Sequence, residues 1–159
     1  MFKSLCMKPL LILLLAAVVT LLATHFIKGG WDYVLAGNIA MAAMLLFTAL
    51  AHFVYREGMT LMVPGFIPAK KILMYLTGAT EILFAIGLCI PSTRRLSADL
   101  LILFFLLVLP ANIYAAQKGV DYQKANYEGR DVNYLWLRIP VQLFFIAWAA
   151  YFGIIMSEV

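Results

Sequence analysis

Five long apolar runs, parted by short polar interruptions, lay out this 159-residue chain. The first, Pro9 to Ile27, contains no Asp, Glu, Lys or Arg. As a helix rising about 1.5 Å per residue it would extend about 28 Å, close to a hydrocarbon core of about 30 Å. The other runs extend from about Val34 to Tyr55, Ile72 to Ile90, Leu96 to Ala116 and Tyr134 to Met156. The pattern predicts five membrane-spanning helices: an all-α, polytopic membrane protein with the lipid bilayer as its first partner.

Within these runs the polar residues keep helical spacing. Asn38, Ala42, Leu45, Ala49 and His52 recur at three- and four-residue steps, as do Gly78, Glu81, Ala85 and Leu88. Arg138, Gln142, Phe145 and Ala149 form a third such stripe. Small and polar stripes on spanning helices face other helices rather than lipid. Lys28, Gly29 and Gly30 end the first run, and Trp31 and Tyr33 are typical interfacial anchors. Residues 91–95, Pro-Ser-Thr-Arg-Arg, leave room only for a hairpin between antiparallel helices. Asp99 falls in the first turn of the fourth run, and Pro110 predicts a kink near Asn112 and Tyr114. A polar loop of mixed charge, residues 117–133, precedes the last run and is expected to face water.

Composition narrows the class further. Hydrophobic residues make up 65% and charged residues 13%, against about 45–50% and about 25% in soluble domains. The net charge of +4 arises from Lys and Arg at segment ends, with no basic run, so no nucleic-acid partner is expected. With the amino terminus inside, eight Lys and Arg fall on the inner side, among them Lys3, Arg56 and Lys70, against Lys28, Arg94 and Arg95 outside. That asymmetry favours an inside amino terminus. The first run is expected to be a retained helix rather than a cleaved signal peptide, being long and lacking an Ala-x-Ala site near its end. Cys6 and Cys89 fit no disulfide or zinc spacing, and no metal site is expected. No internal repeat is visible, which argues against an inverted-repeat transporter.

The candidate chemistry centres on Glu81. A carboxylate near the middle of a span costs at least about 2.5–3.5 kcal/mol unless neutralised or paired. It is therefore expected either to line a buried cavity beside His52, Asn112 or Arg138, or to lock the bundle through a cross-helix hydrogen bond. His52, at the end of its helix, is either a proton carrier paired with Glu81 or an interfacial residue. Such a pair suits proton transfer, so Glu81 and His52 are the candidate catalytic residues. Residues 56–71 are too apolar for a free loop, and Pro64 and Pro68 forbid one continuous helix. The segment is expected at the interface or folded on protein, as a lid or as a connector. Met41, Met44, Met59, Met62 and Met74 are either apolar filler or the lining of an adaptable pocket. Arg138 is expected to snorkel to the surface, or to pair with Asp99 or Glu81. The ligand-binding candidates are Glu81, His52, Thr77, Pro64, Asn112, Arg138 and Gln142.

A family pattern emerges at these residues. His-Phe at 52–53, Pro-x-x-x-Pro at 64–68, TGATEILFAIGL at 77–88, PSTRR at 91–95 and PANIY at 110–114 together resemble the DoxX-like family of small bacterial membrane proteins. The resemblance covers about Val34 to Met156. It implies a four-helix antiparallel bundle over residues 34–159, with residues 1–33 forming an extra helix and connector. It also implies a bacterial cytoplasmic (inner) membrane, a hydrophobic ligand (a quinone is the cofactor candidate) and service as the membrane subunit of a redox system beside a partner protein. A non-catalytic assembly or envelope-stress partner is the alternative function. Glu81 and His52 fall on the family's Glu and His elements. The paired cysteines of thiol-linked relatives are not present in this chain.

Overall fold

The computed structural model describes residues 3–121, 123–127 and 135–157. Six helices make up the described chain: α1 Lys3–Lys28, α2 Tyr33–Val54, α3 Arg56–Thr60, α4 Lys70–Cys89, α5 Arg94–Gln117 and α6 Leu135–Ala150. Among the described residues no strand forms, only an isolated antiparallel bridge between Asp121 and Asn126. Helices α1, α2, α4 and α5, and α6 together with the turn that continues it to Ile155, are long and apolar enough to cross a membrane, with candidate spans of 18 to 24 residues. The chain is an integral membrane protein of all-α fold. Tyr122 and residues 128–133 of the polar loop, with Arg130 among them, and Tyr134, expected to begin the last run, lie outside the described residues.

The connections 29–32 and 90–93 are short enough to make α1 and α2, and α4 and α5, antiparallel neighbours. Helix α2 packs most extensively on α4 and α1, and α5 packs on α4 and α6. Contacts of α6 with α2 close the ring of α2, α4, α5 and α6, while α1 lies against its α2 side. The faces that meet are the small and polar stripes. Asn38, Ala42, Leu45 and Ala49 of α2, all of the Gly78–Leu88 stripe of α4, and Gln142, Phe145 and Ala149 of α6 are buried. Large apolar side chains such as Leu15, Val19, Phe26, Leu83 and Leu107 stay exposed. That inverted pattern is what a lipid solvent favours.

Local signals fix the ends. Asp32 caps α2 by accepting from the Leu35 N–H at 2.9 Å. At the α4–α5 turn, the Thr93 hydroxyl donates to the Gly87 carbonyl and Arg94 Nε to the Leu88 carbonyl, at 3.0 and 3.1 Å. These bonds occupy carbonyls that the end of α4 leaves open. Two prolines behave differently from a simple helix-breaking rule. Helix α1 begins before Pro9, and α5 continues through Pro110. Helix α5 thus carries Pro110 in its interior, where the Leu106 carbonyl lacks its usual N–H partner.

After Ala150 the last helix widens into a π-helical turn, Tyr151–Ile155. The Met156 N–H reaches back five residues to the Tyr151 carbonyl at 2.9 Å. The Phe152 carbonyl, which an α-helix would offer to Met156, instead accepts from Asn38 Nδ2 at 2.9 Å. Trp148 Nε1 donates to the Gly37 carbonyl at 3.0 Å, joining the same two helices. Gly37 admits this approach: a Cβ there would run into the Phe152 side chain.

Candidate functional site: a cavity between the helices

The half of the bundle nearest the α2–α4 connector is hollow. A cavity of about 710 Å³ lies between α2, α4, α5 and α6, with Lys8 and Pro9 of α1 on its wall and the connector across one end. Residues 56–69 form this cover from the short helix α3 followed by turns through Pro64 and Pro68. Met59, Met62 and Ile67 line the cavity, Val63 is buried and Phe66 is exposed. Lys70 Nζ holds the segment by donating to the Val63 carbonyl at 2.9 Å. Ala69 closes it in a left-handed conformation, φ 55°, before α4 begins. Arg56 anchors the other end by donating to the Tyr75 hydroxyl, a bond that raises the Arg56 pKa above its ordinary value.

Two polar networks stand on different walls. On the α2–α4 wall, His52 Nε2 lies 3.6 Å from Glu81 Oε1, and Thr77 Oγ1 lies 3.3 Å from His52 Nδ1. The close approach depends on Gly78, where a Cβ would sit 3.1 Å from the His52 Cβ. Glu81 is 5% exposed, and its Oε2 has no hydrogen-bond partner among the described residues. At 3.6 Å the two groups face each other at slightly more than ordinary hydrogen-bond length.

On the α5–α6 wall, Arg138 Nη2 donates to Asn112 Oδ1 at 2.7 Å. Asn112 Nδ2 donates to Gln142 Oε1 at 3.1 Å, and Gln142 Nε2 donates to the Phe105 carbonyl at 2.8 Å. Both amides are thereby satisfied in a buried setting, as low-dielectric surroundings demand. Phe104, Phe105, Phe145, Met44 and Met74 supply apolar wall around the polar groups.

The cavity gathers His52, Pro64, Thr77, Glu81, Asn112, Arg138 and Gln142 onto one surface. Arg138, partly buried, turns one guanidinium nitrogen onto Asn112. Pairing with Asp99 is excluded by direction, since Asp99 lies near the start of α5 and Asn112 near its end. Of the methionines, Met44, Met59, Met62 and Met74 line the cavity, while Met41 is buried in the core. His25 stacks on Trp31, ring centroids 4.3 Å apart, at the end of α1 away from the cavity. Among the described residues no cluster of His, Cys, Asp and Glu is arranged to hold a metal ion. Lys8 and the aromatic lining escaped the sequence reading. Lys8 looks like an ordinary flanking charge, and no local signal assigns a Phe to a cavity rather than to lipid.

Residues 41–153, more than two thirds of the chain, match the family described as Domain of unknown function (DUF8561). The chain belongs to that family. No curated protein and no solved structure matches it. The matched range begins within α2 and ends in the π-helical turn. It therefore contains all seven cavity candidates and leaves α1 outside.

Proposed function

We propose that this protein binds a hydrophobic ligand in the cavity around Glu81 and serves as the membrane subunit of a redox system, with a quinone as one candidate ligand. The observation that carries the reading is the state of Glu81. Its buried carboxyl faces His52 across 3.6 Å, and its second oxygen has no partner among the described residues. A residue retained to lock helices together would have its oxygens in cross-helix hydrogen bonds, because an unmet buried acceptor costs about 1–3 kcal/mol. A binding residue, by contrast, leaves an acceptor for the ligand. The setting is suitable: about 710 Å³ of mostly apolar wall lies within the range of about 300–1,000 Å³ for small-molecule sites. His52, beside Glu81 and 18% exposed, offers a route for a proton between ligand and the connector end.

The redox role and the bacterial cytoplasmic membrane rest on the resemblance to the DoxX-like family. The charge asymmetry of the loops would then place the connector and the cavity's covered end towards the cytoplasm. Native mass spectrometry of protein purified in mild detergent tests the reading. The wild type is expected to carry a defined small hydrophobic molecule that a folded Glu81→Met variant lacks. A bare wild type, or one carrying a stoichiometric protein partner instead, would favour the assembly role.

A further inference from the structure

The hydrogen-bond directions around Glu81 define what the ligand must bring. Thr77 Oγ1 lies 3.0 Å from the Leu73 carbonyl and 2.9 Å from the Met74 carbonyl, both of which can only accept. Its single hydrogen is spent there, so towards His52 Nδ1, at the longer distance of 3.3 Å, the Thr77 oxygen acts as the acceptor. His52 Nδ1 then carries a hydrogen. That assignment, made from the network, leaves Nε2 facing Glu81 Oε1.

Two arrangements put one proton on that axis: imidazolium beside carboxylate, or neutral imidazole accepting from a carboxylic acid. In both, Oε2 is a pure acceptor, either a carboxylate oxygen or the acid's carbonyl oxygen. In both, the His52–Glu81 pair is neutral overall. It supplies no counter-charge for an ammonium.

We infer that the ligand is an uncharged lipophile bearing a hydroxyl, which it donates to Glu81 Oε2. The inference rests on the ligand-cavity reading above and sharpens it. Glu81 is one of the residues that line the cavity, and Oε2 is its oxygen left without a donor among the described residues. The apolar body lies against the Phe and Met wall. Of a quinone couple, only the reduced form carries such a donor.

Three probes with the same chain separate the possibilities: dodecan-1-ol, its methyl ether, and dodecylamine. Each is titrated into ligand-free protein in nanodiscs, and occupancy is read by native mass spectrometry. The alcohol is expected to bind about tenfold more tightly than the ether, the size of one hydrogen bond, and more tightly than the amine. Glu81→Gln should keep the preference, its amide N–H turned to His52 Nε2 and its carbonyl to the ligand. Glu81→Met should abolish it.

Equal binding of alcohol and ether by the wild type would overturn the donor assignment and leave the cavity reading standing. Stronger binding of the amine would overturn the uncharged class. Loss of the preference in a folded Glu81→Gln, or its survival in Glu81→Met, would remove Glu81 as the acceptor. No binding of any probe would count against both this inference and the cavity reading. The wild-type comparison decides the donor question even if neither variant folds.

Discussion

Replacing Glu81 by Met should make the ligand-free protein more stable. The carboxyl is buried, one oxygen has no partner among the described residues, and the other stands 3.6 Å from His52. An unsatisfied buried polar group costs about 1–3 kcal/mol, and Met removes that cost at nearly the same length. The lost contact with His52 offsets part of the gain. It leaves no stranded charge, because an imidazole can become neutral, and the Thr77 hydroxyl still faces its Nδ1. The expected net gain is about 1–2 kcal/mol. It is read as the fraction of protein still monodisperse by size-exclusion chromatography after heating, wild type beside variant, both stripped of ligand. A loss of similar size would refute the reasoning. Glu81 would then be a lock between α2 and α4, and the unmet oxygen would not mark a ligand's place.

Two further outcomes follow from the packing and the charge pattern. Gly37→Ala should lower thermal stability by about 1–2 kcal/mol, overpacking of about 1–3 kcal/mol exceeding the helix-propensity gain of Ala over Gly; the added methyl would collide with the base of the Phe152 side chain. Unchanged stability in the same heating assay would show that the π-helical turn can move aside. In a background with Cys6 and Cys89 replaced, Ser92→Cys should react with a membrane-impermeant thiol reagent on intact cells, and Gln123→Cys only after permeabilisation. The reverse labelling would place the connector and cavity end outside.

The number and extent of the spanning helices were determined by the sequence alone, because hydropathy is a one-dimensional property and lipid makes it decisive. Each apolar run became a long helix, and the three-and-four stripes of Asn38, Gly78 and Gln142 turned inward. The expense of a carboxylate in mid-span likewise singled out Glu81 before any contact was known. What periodicity could not supply was which stripe meets which. Tertiary structure set His52 and Thr77 of neighbouring helices beside each other and brought Arg138 onto Asn112. It also brought Lys8 and Pro9 of α1, a helix outside the family match, onto the wall of the same cavity. The π-helical turn was hidden for a related reason: freeing the Phe152 carbonyl is favourable only because Asn38, more than a hundred residues away, receives it. Local sequence encodes the face a helix will bury, but distances between faces arise only when the helices pack.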